Sequence, residues 1–335
     1  SDRPIDHAIW SFSPGSEIPK DKLVYAACGF VCKSEYNGKI YYEKDPLGTA
    51  TIFSRCADPN CNSMVIGNQD TCDVCNEPMN NFDLFQPKGF MAASKSWDYS
   101  GERNRGPALS PPILAFQPDY DSAQTMGATK LTLTSGKPIA LVNDNRGELF
   151  EFFPNINQVL VTEPSLYSDN VSLQSTSETS LGLGAIGAVF TTDVLSLIVT
   201  NAQSGIGCDG ILDIEQSATT AAITSFGEFL RLAIATFLDI DPAEIRVGRQ
   251  KYRLKNATTL QLFLADAAEN GAGYMRHVFN NDSLRDVLLD HYEKQIEKWT
   301  KKSHMDCDVS CADCLRNYTN RMSHRHLDWR LALDV

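Results

Sequence analysis

At 335 residues, with 42% hydrophobic and 21% charged positions, the chain can bury a large core and has the length of about two domains. Its formal net charge of -12 excludes a surface that is basic throughout, so any contact with nucleic acid has to be local. No run of about 18 uninterrupted apolar residues and no charged-then-apolar leader is present, which leads us to expect a soluble protein. Ten cysteines, several in tight pairs, suit zinc chelates in a reducing cytoplasm better than a secreted disulfide framework. The chain begins at Ser1 and ends at Val335 inside a helical pattern without a cap, as a piece of a longer protein would.

In chain order, the segment from Ile9 to about Phe53 is broken by Pro14, Gly15, Pro19, Gly29, Gly38, Pro46 and Gly48, and predicts short strands and turns. From about 55 to 85 cysteines become dense and apolar residues sparse, so a small core there needs a metal. Lys95 to Tyr120, rich in proline and glycine, reads as an irregular connection. Strand-like runs follow at Leu131 to Leu133, Ile139 to Val142, Val159 to Val161 and Val189 to Val199. Ser225 precedes an apolar stripe of Phe226, Phe229, Leu230, Ala233 and Phe237, with Glu228 three residues on, a capping box that predicts a helix beginning there. Asp241-Pro242 starts a turn, and a strand runs from Ile245 to Leu254. The apolar run Leu260 to Ala265, a small-residue loop from Asp266 to Gly273, and a segment from Tyr274 give strand, loop, helix. Leu284, Val287, Leu288, Tyr292, Ile296 and Trp299 repeat at helical spacing after Asp282-Ser283, leading into the last cysteines. The whole predicts an α+β fold: a β-rich part with a zinc ribbon over 1–120, then an α/β zinc-binding part over 121–335.

Cys56-x4-Cys61 and Cys72-x2-Cys75 have the spacing by which two knuckles present four thiolates to one zinc. Four protein ligands leave no position for water, so this site is structural. Cys307-x3-Cys311-x2-Cys314 supplies three more thiolates and needs a fourth ligand. His324 is preferred because a local loop can return it, Cys208 is the better chemical match to thiolates, and His326 and His304 are the other choices. Two structural zinc ions are therefore expected. Cys28 and Cys32 read as small buried hydrophobes on a strand.

Several patterns fail their context. Gly205-x-Gly207-x-x-Gly210 has the dinucleotide spacing, but Ile211 to Ile214 looks like a strand where a helix is required. Ser135-Gly136-Lys137-Pro138 lacks the other parts of a phosphate loop. Asp266, Gly271 and Gly273 offer backbone amides to a phosphate, although tight turn packing accounts for them more simply. One local basic feature stands out. Arg249, Lys251, Arg253 and Lys255 alternate along a strand and so share a face, either tracking phosphates or guarding a sheet edge. Arg316 and Arg321 lie in a mixed C-terminal surface with Asp306, Asp308 and Asp313.

Cys307-Asp-Val-Ser-Cys311-Ala-Asp-Cys314-Leu-Arg-Asn-Tyr318-Thr-Asn320, continuing to His324, Leu327-Asp328 and Arg330, resembles the ending of the MrfA-type zinc-binding domain family, found behind bacterial DEAD/DEAH-box motors and in the DISARM anti-phage system. Ser225 to Gly248, Leu262 to Gly273, and Phe12 to Gly15 with Lys22 to Phe30 agree with it in order. Two features depart from the family: Ala267 to Gly273 replaces a Pro-Gly-Gly turn, and the Cys56 to Cys75 ribbon looks like an insertion of some members only. The resemblance implies a non-catalytic accessory module beside a helicase motor, in the same chain or a partner, helping to hold DNA in repair or phage defence, with no membrane and no small-molecule substrate. Arg249, Lys251, Arg253, Lys255, Arg316 and Arg321 are then the candidate DNA contacts. Two rival readings stand beside it. One is a metal-dependent nuclease using Asp193, Asp209 and Asp213; the other is a protein-binding scaffold of a defence complex.

Overall fold

The structure, a computed structural model, describes residues 4–61, 63–100, 110–127, 129–155, 157–161, 179–199, 217–254, 257–281, 283–304 and 306–335. A short helix, α1 (Ile5–Ser11), precedes the hairpin β1 (Glu17–Lys20) and β2 (Leu23–Phe30). A separate exposed hairpin, β3 (Lys33–Tyr36) and β4 (Lys39–Tyr42), turns on Asn37 and Gly38. Both turn residues have positive φ, 50° and 72°, which gives the mirror-image turn that matches strand twist. The ribbon strands β5 (Ala50–Cys56), β6 (Met64–Ile66) and β7 (Met79–Phe85) follow, and β8 (Phe90–Asp98) pairs back onto β2.

Beyond them come β9 (Ile113–Leu114), β10 (Gln124–Met126), β11 (Thr129–Asn143), β12 (Phe150–Asn155), β13 (Gln158–Val161) and β14 (Gly182–Val199). The two short runs expected at 131–133 and 139–142 are one strand, β11, whose register against β14 shifts between Thr134 and Lys137. That bulge carries Gly136 at φ 65°, which explains the Ser-Gly-Lys-Pro segment as an irregularity in a strand rather than a phosphate loop. Strand β14 organises the molecule: its first part pairs with β12 and, in parallel, with β7, and its second with β11 and β16 (Ala257–Asp266). Strands from both sides of residue 120 thus belong to one 14-stranded sheet, with β15 (Ile245–Leu254) pairing β16.

Helix α2 (Ser217–Leu238) packs on this end of the sheet, followed by α3 (Tyr274–Asn280), α4 (Leu284–Trp299) and α5 (Trp329–Asp334). Phe226, Phe229, Leu230, Ile234, Leu262, Leu264, Trp299 and Trp329 share one core. By length and composition α2 could cross a bilayer, yet 72% of its most apolar stretch is buried inside the molecule, the setting of a core helix. Gly227 sits where the helix approaches the sheet most closely: a Cβ there would lie 2.6 Å from the Leu262 side chain and 2.9 Å from Val247. That proximity outweighs the roughly 1 kcal/mol a mid-helix glycine costs.

Ser225 and Glu228 do not form the expected capping box. Ser225 lies inside α2, where its hydroxyl donates to the His326 carbonyl at 3.2 Å and accepts from the Asp328 amide at 2.8 Å. Glu228 instead pairs with Arg231 at 2.5 Å and accepts from Asn320 at 2.8 Å. Residues with capping chemistry here tie the helix to the C-terminal segment, because the helix begins earlier and their side chains face the interior. The chain's end, by contrast, is the expected short helix, with Asp328 accepting from the Arg330 amide at 2.9 Å.

His291 on α4 is 5% exposed and meets the Phe229 ring at 4.9 Å between centroids. Burial draws its pKa down from 6.5 to about 4. The unfolded chain therefore takes up a proton near pH 6.5 that the folded chain refuses until about pH 4, and stability falls as pH falls across that window. The loss amounts to about 1.4 kcal/mol per pH unit, on the order of 3 kcal/mol in all. Melting curves of His291→Leu should lack this component between about pH 6.5 and 5, whereas the parent protein shows it; equal pH slopes for the two proteins would refute the assignment.

Candidate metal centres

The ribbon holds four sulfurs by backbone rather than by bulk. Cys56 ends β5 and Cys61 lies in the turn beyond it, where the Cys61 amide donates to the Asp58 carbonyl at 3.1 Å. Cys72 and Cys75 occupy the second turn, closed by the Asn76 amide to the Cys72 carbonyl at 2.9 Å with Asn76 itself at φ 64°. The apolar partners of the four cysteines in their cluster are Val65, Val74 and Met79, too little to hold such a module. The four sulfurs lie within 4.8 Å of one another. Cys56 and Cys75 are 3.3 Å apart and Cys61 and Cys72 3.8 Å. A tetrahedron with Zn–S bonds of about 2.3 Å has edges of about 3.8 Å. The donor set therefore fits zinc, and both separations are far longer than a disulfide's roughly 2 Å. Burial pushes the Cys56 thiol up to about 12 and raises Cys61 as well. Cys75 goes the other way: against the burial that raises it, hydrogen bonds from the Glu77 backbone and from its three sister thiols lower it. Sulfurs packed this tightly need a cation to ionise together, and zinc supplies that charge.

The second cluster contains Cys307, Cys311 and Cys314 as expected, but its fourth member is His304. His304 Nε2 lies 3.4 Å from the Cys311 sulfur, and Cys314 lies 3.8 Å from Cys311 and 3.9 Å from Cys307. The other ring nitrogen, Nδ1, is 3.1 Å from the Trp299 carbonyl. A proton held there leaves Nε2 free to bind metal, the arrangement that orients ligating histidines. The preference for His324 is thereby corrected: its Nε2 sits 2.9 Å from the Asn317 carbonyl and 3.0 Å from Asn320 Oδ1, a structural tie away from the sulfurs. Cys208, the other choice, lies outside the described residues. The signal for His304 is present in the chain, since His304-x2-Cys307 repeats the spacing of a knuckle. The end of α4 decides it, because Trp299, fully buried, fixes the start of the loop that delivers the ring.

Burial raises Cys28 to about 11 and leaves it beside Ala93, away from both clusters. The amides of the Asp266 loop are taken: the Asp266 carboxylate accepts from Gly273 at 2.6 Å, Tyr274 at 3.1 Å and Met275 at 3.1 Å, so it caps α3 from within and no phosphate is needed. Gly271 and Gly273 adopt φ 77° and 85°, which this tight turn requires. Of the nuclease carboxylates, Asp193 is buried and accepts from Arg276 at 3.0 Å, while Asp209, Asp213 and the Gly205 to Gly210 segment lie outside the described residues.

Among the basic residues, Arg249 and Lys251 line a groove facing the ribbon. Arg253 donates to Asn76 of the ribbon at 2.8 Å, and Lys255 lies outside the described residues. Arg316 donates to Ser310 at 2.9 Å, and Arg321 stacks 4.8 Å over the Tyr318 ring.

The second cluster and the scaffold from Phe226 of α2 through α4 fall in one stretch that resembles a protein family. Residues 226–315 match the MrfA Zn-binding domain. The matched stretch holds all four members of the cluster of one histidine and three cysteines, and the ribbon lies outside it. Over 369 aligned residues the chain is 30% identical to the Druantia protein DruE of Escherichia coli (strain UMEA 4076-1), covering 99% of this chain and 19% of that protein. The chain thus spans about a fifth of the curated relative it matches. A crystal structure of the DUF1998 helicase MrfA bound to DNA is similar at 16% identity and a TM-score of 0.35, over 63% of this chain and 23% of that one.

Proposed function

We propose that this chain is the zinc-stabilised, non-catalytic accessory part of an ATP-dependent DNA helicase or translocase, working in the cytoplasm in DNA repair or anti-phage defence. The observation that carries it is a closed set of four metal ligands lying within the stretch that matches the MrfA Zn-binding domain. Four protein ligands leave no coordination position for water or substrate, so both metals supply folding energy rather than hydrolysis. Similarity to one stretch of a much longer Druantia protein supports a part of a larger machine, whose motor domains would lie in the same polypeptide or a partner. The site residues then divide by role: Cys56, Cys61, Cys72 and Cys75 hold one zinc, His304, Cys307, Cys311 and Cys314 the other, and the cations of β15 face DNA.

The test joins the chain to its motor. In the assembled helicase, Cys311→Ser should leave single-strand-stimulated ATP hydrolysis in place while lowering strand separation by roughly fivefold or more, the size of an ordinary coupling free energy. Strand separation unchanged by this substitution would refute the accessory role. So would ATP hydrolysis, or magnesium-dependent DNA cleavage, by the isolated chain.

A further inference from the structure

A groove of about 790 Å³ separates the ribbon from β15. One wall is the Cys56 to Cys61 knuckle; the other carries Arg249 and Lys251; Arg146 stands on the turn after β11. Its floor includes the apolar Ile113, Val142 and Leu260. The Arg253 hydrogen bond to Asn76 ties the ribbon to the strand. Asp144 is the single acidic residue of the described lining, and it is paired with Arg55, which also donates to the Gly147 carbonyl at 3.1 Å. Among the described residues, Arg146 and Arg249 have no carboxylate partner. Burial draws the Arg249 guanidinium below its usual range with no counter-charge to offset the cost. In a chain of net charge -12 this is a local excess of cations recessed between two walls.

We propose that the groove between the ribbon and β15 binds the phosphate backbone of a single-stranded nucleic acid through Arg146, Arg249 and Lys251. The proposal rests on the helicase-associated reading and adds to it a strand path and its contacts. Arg249 and Lys251, two residues apart on a strand, are spaced about 7 Å along it, the order of the distance between successive phosphates of an extended strand. A recess with cations along one wall and on an adjoining turn admits one strand, whereas a duplex presents its phosphates on a broad convex surface. No aromatic residue lines the groove among the described residues, so bases are not stacked and the binding is insensitive to sequence. The ribbon, whose knuckle is a wall of this path, thereby acquires a role that a purely structural zinc module would not have.

Fluorescence anisotropy of the zinc-loaded chain with a labelled oligothymidylate tests this. Three phosphate contacts predict a slope of log affinity against log salt of about -2, at about -0.7 per contact on a single strand. Arg146→Ala with Lys251→Ala should weaken binding roughly tenfold or more and flatten the slope by about 0.7 for each phosphate no longer held. Lys294→Ala, on the exposed face of α4, with Lys301→Ala, exposed just beyond its end, should change neither. Photo-crosslinking of a thiothymidine strand should mark the peptides containing residues 56–61 or 249–251, a readout independent of the variants. If the parent chain binds the oligonucleotide but the groove variants bind equally well with the same slope, the groove assignment is wrong while the helicase-associated reading stands. Displacement by polyglutamate at equal charge, or equal competition by blunt duplex, overturns the single-strand class. Absence of any binding at about 50 mM salt overturns the proposal outright and leaves the motor-coupling test to judge the accessory role.

Discussion

Cys314→Ser should leave the chain with one zinc in place of two and cost on the order of 4 kcal/mol, about 10 °C in melting temperature for a unit of this size. The residue is 8% exposed, its sulfur lies against those of Cys307 and Cys311, and it accepts from the Cys311 amide at 3.0 Å. Loss of metal at this point reaches the core, because His304 stacks on Trp299 at 6.3 Å and meets Trp329 at 5.5 Å. Intrinsic fluorescence of these two tryptophans should therefore shift with the melting curve. His304→Ala should lose the same zinc, and His324→Ala should keep both. Cys28→Ser, buried away from either cluster, should destabilise the fold without changing the metal content. Two zinc ions retained by Cys314→Ser or by His304→Ala, measured by elemental analysis, would remove the second cluster from the account.

The second large effect lies in a buried ion pair. Glu228 and Arg231, one helical turn apart on α2, are 5% and 3% exposed. Burial pushes the Glu228 carboxyl up, while Arg231, Asn320 and His324 hold it down. Arg231 also donates to Thr319 at 3.0 Å, and Asn320 donates to Glu228 and to the Leu315 carbonyl, both at 2.8 Å. Arg231→Met strands a carboxylate in the interior and should cost about 3–5 kcal/mol, whereas the double change with Glu228→Leu should cost less than Arg231→Met alone. The pH dependence has a definite sign. Without Arg231 the folded carboxyl rises further above its unfolded value, so Arg231→Met is closest to the parent at low pH and loses stability as pH rises from the unfolded carboxyl's range towards the folded one. Urea titrations at about pH 5 and about pH 8 decide the matter. An Arg231→Met protein that matches the parent at the higher pH, or that falls further behind it at the lower pH, would show that the pair does not carry the join between α2 and the C-terminal segment.

These two sites also explain why the resemblance is readable at the C-terminus. The Asn317 to His324 stretch encloses Glu228 and Arg231, and Ser225 binds His326 and Asp328, so two distant segments constrain each other through buried polar contacts that admit few residue types. The same closeness misleads a local reading: Ser225 with Glu228 satisfies a capping pattern, yet both side chains are consumed by the tertiary join. Likewise Asp266, which beside Gly271 and Gly273 resembles a phosphate turn, uses the amides itself.

By itself the sequence determined what short-range chemistry determines. Closely spaced thiolates in segments with too few apolar residues to bury them point to one metal, and so the ribbon and three ligands of the second cluster could be read directly, apart from Cys28 and Cys32. Alternation likewise put Arg249 and Lys251 on one face of a strand, and apolar periodicity identified α4 and most of α2, though not α1. Only the tertiary structure decided which histidine completes the second cluster, where α2 begins, and that β14 joins strands from both ends of the chain into one sheet. Each of these depends on where a distant segment returns, which no local pattern in the chain records.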